Sequence, residues 1–222
     1  MTGGVTTGEV SLPRWRFRLA GKWFSIELND DAARRRSIKD LVEEQVGKAE
    51  ENATLRALMR RRVETGAVAA RDAQAQGMFI ATEVSPGLAM PVTLTVYAPS
   101  DLHMSPAVGT APETVISMLE KSFVTLEMEG NDTATRLSLG QAEVLRLHRY
   151  ASPPPDEHAP ETVRNLIVDY WCTVPGSKRV VLANFFTPLS DITNVMLEYF
   201  DGVVRASYFE AESQAAAQAA VV

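Results

Sequence analysis

The groups able to do chemistry are few and scattered. His103, His148 and His158 are the three histidines, and Cys172 is the single cysteine. No H-x-x-x-H, H-E-x-x-H or C-x-x-C pair occurs, and such spacings are what bring two metal ligands onto one face of a helix or turn. His103 and His158 fall in loop-like stretches, and His148 falls in a strand-like one between Arg146 and Arg149. Cys172 follows Trp171 in an apolar run and reads as a small buried hydrophobe. A reactive thiolate wants an electropositive, partly exposed niche, and no neighbouring residue supplies one. No G-x-S-x-G elbow and no glycine-rich phosphate loop is present. The acidic run Glu127-Met128-Glu129-Gly130-Asn131-Asp132 lacks the D-x-D-x-D-G spacing of a calcium loop and reads as a solvated turn. The sequence therefore assigns no catalytic residue, no metal and no cofactor. A site assembled from distant residues would draw on Arg146, His148, Asp169 and Tyr170, which neighbouring strands could bring together.

Charge is the other chemistry. Arg34-Arg35-Arg36 and Arg60-Arg61-Arg62 are the only arginine triplets. Each sits in a helical pattern, where three consecutive side chains point in three directions. Some stems must lie beside the core face, with the heads in water or paired to Glu43, Glu44, Glu50 and Glu64. The sharper expectation is a basic patch, Arg34, Arg35, Arg36, Arg60, Arg61 and Arg62, offered to an acidic protein surface.

The elements that must position these groups follow from periodicity. Arg14 to Leu19 alternates charged and apolar, Gly21-Lys22 turns, and Trp23 to Leu28 continues, which predicts a hairpin. Asn29 or Asp30 caps a helix carrying Ile38, Leu41, Val42 and Val46. A second helix runs from Asn52 or Thr54 to about Gln76, with Gly77 as its stop. Met78 to Val84 and Val92 to Tyr97 are strands. A helix follows near Glu113 to Lys121, with Val115, Met118 and Leu119 on one face, and a short strand is expected over Phe123 to Met128. Thr133 to Leu139 and Ala142 to Tyr150 form a hairpin around Gly140. Leu166 to Val174 and Arg179 to Thr187 form another, with Pro175-Gly176 placed as a type II turn requires. Both faces of that hairpin are apolar, so it lies mid-sheet. Ile192, Val195, Met196, Tyr199, Phe200 and Val203 recur at three and four residues, marking a closing amphipathic helix.

These elements predict an α+β domain over 13–209, an antiparallel sheet of hairpins flanked by helices, with a helical pair at about 30–76. Residues 1–12 and the Ala-rich tail 210–222 are expected to be flexible ends.

With 222 residues, 45% hydrophobic and 23% charged, the chain can bury a full core without a disulfide or metal staple. A net charge of −6 and a pI near 5.2 argue against a dedicated nucleic-acid binder. No run of 18 apolar residues exists, so no membrane span is expected. Met1 to Gly8 lacks the basic and apolar regions of a secretory signal, so the expected location is cytoplasmic.

Three stretches carry a family resemblance. They are Arg14-Trp15-Arg16-Phe17 with Gly21 to Leu28 leading into an Arg-rich helix, Pro91 to Tyr97, and Val174 to Leu182 with Phe185-Phe186-Thr187-Pro188 before the last helix. Their order resembles uncharacterised actinobacterial proteins with the PsbP-like αβα sandwich, a fold similar to that of a nuclear-import Ran-release factor and of mycobacterial lipoproteins of the LpqN type. The resemblance implies a binding or assembly protein, and it transfers no functional residue.

The first expectation is thus a non-enzymatic protein-binding or assembly-accessory protein, in the actinobacterial setting one of a secretion or cell-envelope system. The alternatives are an enzyme or small-ligand protein with a composed site, and a self-associating structural subunit that uses its apolar stripes or its tail.

Overall fold

The computed structural model of the chain describes residues 14–84, 87–100, 102, 104–105, 107, 109–152 and 164–210. The expected flexible ends lie outside them, apart from Glu210. So do His103 and His158, and the whole Pro-rich stretch 153–163.

The elements run β1 (Trp15–Arg16), β2 (Lys22–Ile26), α1 (Asp31–Val46), α2 (Ala53–Asp72), β3 (Ala75–Glu83), β4 (Val92–Tyr97), α3 (Pro112–Thr125), β5 (Thr135–Leu139), β6 (Ala142–Ala151), β7 (Asn165–Thr173), β8 (Val180–Thr187), α4 (Thr193–Arg205) and β9 (Tyr208–Phe209). Seven strands form one antiparallel sheet in the order β2-β3-β4-β8-β7-β6-β5. The class is α+β, with helices flanking the sheet.

Alternation along the strands sorts the core into two sides. Val92, Leu94, Val168, Tyr170, Cys172, Ala183 and Phe185 face α4, which covers them with Met196, Phe200 and Val203. On the opposite side, α1 and α2 pack Ile38, Leu41, Val42 and Ala67 over Ile26 and Met78. Further along that side, α3 packs Val115, Ile116, Leu119 and Phe123 over Leu145, Leu147 and Trp171. The Phe123 and Trp171 rings meet edge to face at 5.2 Å.

Four sequence expectations are corrected. First, β1 and β2 do not form a hairpin. β1 pairs antiparallel with β9, and the Trp15 indole donates to Ser207 Oγ at 2.7 Å. Second, α2 stops at Asp72, because Gln74 (φ 58°) takes the left-handed position and β3 has already begun at Ala75, so Gly77 lies inside a strand. Third, Phe123 continues α3 instead of opening a strand, while Met118 on the same helix is exposed. Fourth, Ile192 and Val195 are exposed, at 43% and 56%. The residues Ser190–Ile192 form a 3-10 turn before α4, which shifts the buried stripe to Met196, Leu197, Phe200, Asp201, Val203 and Val204.

The bend into β2 depends on Gly21, whose φ is +90°. A Cβ there would sit 2.2 Å from the Glu83 carbonyl oxygen and 2.6 Å from Val84 Cα. Gly21→Ala combines left-handed strain with a clash against backbone that cannot rotate away. It is expected to lower unfolding stability by about 1–3 kcal/mol, measured from the urea midpoint.

Candidate functional site

The four residues of the composed site separate onto two sides of the sheet. Arg146 and Tyr170 stand directly opposite each other on β6 and β7. His148 lies two residues along β6 on the same side. Asp169 neighbours Tyr170 in sequence and so projects to the other side.

A residue the periodicity had not singled out, Asp201 of α4, joins Arg146 to Tyr170. The Tyr170 hydroxyl donates to Asp201 Oδ1 at 2.7 Å, and the Arg146 guanidinium donates to Asp201 Oδ2 at 2.7 Å. Arg146 also donates to Thr135 Oγ1 at 3.2 Å, and Arg205 approaches Asp201 at 3.9 Å. Tyr170 is fully buried and Asp201 nearly so. Burial first, and then the Asp201 carboxylate, push the Tyr170 phenol far above its ordinary pKa. The phenol therefore stays protonated and donating. Both Asp201 oxygens are engaged, so this cluster fastens α4 to the sheet and leaves no base to spare.

His148 makes an edge contact with Tyr150, ring centroids 6.1 Å apart. Burial, and then the Arg146 charge, hold its pKa below the usual value, which favours the neutral imidazole. Its Nδ1 and the Arg146 Nε have no hydrogen-bond partner among the described residues.

On the opposite side, Asp169 is buried and accepts from Arg149 and from Asn184 Nδ2, the latter at 2.6 Å. Arg149 reaches Glu129 at 3.5 Å. The alternating pleat thus makes two closed polar clusters where sequence reasoning assembled one. Cys172 is fully buried on the α4 side, and burial pushes its thiol up, away from the thiolate a nucleophile needs.

The arginine triplets also divide. Asp30 caps α1 by accepting the Ala33 N–H at 2.8 Å, which holds its carboxyl below the usual range. One turn later Arg34 turns inward and is 3% exposed. It donates to Glu64 of α2 at 3.0 Å, pairs with Asp31 at 2.8 Å and reaches the Leu28 carbonyl at 3.2 Å. Arg60 points back toward Glu43 of α1 at 3.6 Å. These two arginines hold the helices together, and Arg34 is out of a partner's reach. Arg35, Arg36, Arg61 and Arg62 remain exposed.

Where α1 ends and α2 begins, an open cleft of about 750 Å³ meets the sheet margin. Val46, Leu55 and Met59 supply its apolar wall, and Lys22, Glu44, Asn52, Thr82 and Glu83 its polar one. Lys22 and Glu44 form an ion pair across it, and Glu83 accepts the Gly87 N–H. Leu55 and Leu58, three residues apart on α2, are 49% and 46% exposed, and Leu88 is 52% exposed. Sequence reasoning missed this cleft because a helical period does not show which apolar residues of α2 the sheet covers: Ala67 and Ala70 are buried, while Leu58, on the opposite side of the helix from Ala67, is exposed. Smaller clefts of about 450 Å³, beside β1, and 280 Å³, beside Tyr97, are lined by none of Arg146, His148, Asp169 and Tyr170.

No helix among the described residues is long and apolar enough to cross a membrane. Comparisons with family models, with curated proteins and with solved structures find no match to the chain.

Proposed function

We propose that the protein is a non-enzymatic recognition or assembly-accessory module that binds another protein through α1, α2 and the cleft where they meet. One observation carries this reading. Leu55 of α2 is exposed and lines an open, partly apolar cleft, and two further exposed leucines lie near it in the chain: Leu58 three residues along α2, and Leu88 between β3 and β4, flanked by the lining residues Gly87 and Ala89. A cleft walled by apolar side chains and rimmed by charges matches the anatomy of a protein-binding patch, an apolar centre with a polar margin. The exposed Arg35, Arg36 and Arg61 favour an acidic partner and a salt-sensitive association rate. The resemblance to PsbP-like actinobacterial proteins supports an accessory role in a secretion or cell-envelope system.

The test separates centre from margin. Quantitative co-purification from an actinobacterial lysate compares the natural chain with Leu55→Asp/Leu58→Asp and with Arg35→Glu/Arg36→Glu/Arg61→Glu. The leucine variant is expected to lose its interactors, with affinity down by about tenfold or more, the effect of a buried anchor. The arginine variant is expected to weaken capture at low salt while its melting temperature stays unchanged, because exposed charges contribute little stability. Arg34 and Arg60 are left intact, since they join the helices. Interactors that survive both sets of changes would refute the reading.

A further inference from the structure

The seven-stranded sheet has two outer strands, and they are built differently. β2 begins with an exposed lysine, Lys22, and its register against β3 shifts between Lys22 and Trp23. A charge and an irregularity on an edge are what discourage another strand from pairing there. β5 lacks the irregularity. It runs regularly against β6 from Thr135↔Arg146 to Leu139↔Ala142, contains no proline or lysine, and its one charge, Arg136, is paired to Glu120 of α3 as Lys22 is to Glu44.

The turn fixes which backbone groups of β5 point outward. Gly140 (φ +60°) and Gln141 close a two-residue hairpin of the II′ kind, so Leu139 and Ala142 exchange hydrogen bonds. Leu137 and Thr135 then bond Val144 and Arg146, while Arg136 and Ser138 face away from β6. The next strand confirms the phase. The Glu143 N–H, opposite Ser138, donates toward β7, to Thr173 Oγ1 at 2.9 Å. Among the described residues, the Arg136 and Ser138 N–H and C=O groups form a short open ladder.

We infer that this ladder pairs with β5 of a second copy of the chain, antiparallel about a two-fold axis at Leu137. That register sets Arg136 against Ser138 of the second copy and the reverse, which uses all four outward N–H and C=O groups of each strand. No charge meets its like, because Arg136 meets a serine and already carries the Glu120 carboxylate. On the other side of the sheet, Leu137 meets its own copy, extending the partly buried apolar margin formed by Leu137 and Leu139. The sheet becomes continuous over fourteen strands. So short a seam belongs with interfaces below about 1,200 Å², and a Kd on the order of 100 μM is expected.

Sedimentation of the full chain up to about 1 mM reads the association directly. Ser138→Pro removes an outward N–H and no backbone bond to β6, a position where a strand tolerates proline, and with it only the exposed hydrogen bond from Ser138 Oγ to Glu143 at 2.9 Å. It is expected to raise the Kd at least about tenfold with the melting temperature unchanged. Leu137→Cys reads the register independently of how that variant folds. Opposed Cβ atoms in such a pair lie about 4.5–5.5 Å apart, so mild oxidation links the dimer. Ser138→Cys, displaced diagonally to about 7–8 Å from its own copy, links poorly. Buried Cys172 leaves the introduced thiol as the reactive one. A strict monomer at the highest concentration, a dimer indifferent to Ser138→Pro, or equal linking through positions 137 and 138 would each overturn the inference.

Discussion

A chain ending at Pro188 is expected to be recovered unfolded. The cut removes α4, whose Met196, Leu197, Phe200, Val203 and Val204 cover the α4 side of the central strands. Phe200 stacks on Phe185 at 4.5 Å, and Phe185 in turn meets Tyr170 edge to face at 5.5 Å. Burying one such side chain contributes about 1.5–3 kcal/mol. Five of them together approach or exceed the whole stability of a domain, about 5–15 kcal/mol. The same cut takes away Asp201, leaving Arg146 and Tyr170 without their acceptor, and β9, leaving β1 without a partner. Circular dichroism and amide spectra of the shortened chain are expected to show no cooperative melt. A chain ending at Glu210 keeps every contact named here, including the Arg16–Glu210 pair at 2.8 Å, and is the folded control. Cooperative melting of the shorter chain would mean that α4 is dispensable and that its apolar stripe serves a partner.

The parts of the fold readable in the sequence are those settled by neighbours along the chain. The β7–β8 hairpin was readable because Pro175 and Gly176 stand where a type II turn needs them. Gly176 adopts φ 71°, and the Ser177 N–H closes the turn onto the Val174 carbonyl at 3.0 Å. The β5–β6 hairpin was readable from Gly140 for the same reason. β1 was not. Its alternation shows a strand but not a partner, and that partner, β9, lies at the other end of the domain. The sequence-adjacent guess, β2, pairs with β3 instead. Pairing at such separation leaves no local periodicity.

The polar clusters show a second limit. Alternation alone was enough to put Tyr170 and Asp169 on opposite sides of β7. Grouping them neglects the same alternation that makes both faces of the β7–β8 hairpin apolar. Asp201 was not readable, because the stripe read from the sequence omits Leu197 and Val204; in the structure Asp201 lies four residues after the first and three before the second, on the buried face. An acid in that place must find a partner or destabilise the helix. Nor could the sequence supply the partner, which depends on how α4 crosses β6 and β7. Arg34 was hidden for a similar reason. A triplet of arginines reads as one basic surface, but helical geometry turned one member inward to Glu64.

Asp201→Ala is expected to be the most damaging single substitution named here. It leaves the Tyr170 hydroxyl, fully buried, without an acceptor, and the Arg146 guanidinium, 14% exposed, without a counter-charge. Removing one partner of a buried ion pair costs about 3–5 kcal/mol, mainly through the charge left behind. Asp201→Asn keeps an acceptor oxygen but only one, and loses the charge, so a smaller loss of about 1–2 kcal/mol is expected. The two values separate hydrogen bonding from charge. The same logic predicts a rescue. Arg146→Met and Tyr170→Phe, added to Asp201→Leu, remove every unsatisfied group and are expected to recover most of the lost stability, because a well-packed apolar replacement of a buried ion pair is often neutral. Urea midpoints of the four proteins decide the matter. A loss below about 1 kcal/mol for Asp201→Ala would mean that Arg146 and Tyr170 find other partners when α4 loses its acid. A triple variant no more stable than Asp201→Ala would place the cost in packing around α4 and not in the stranded charge.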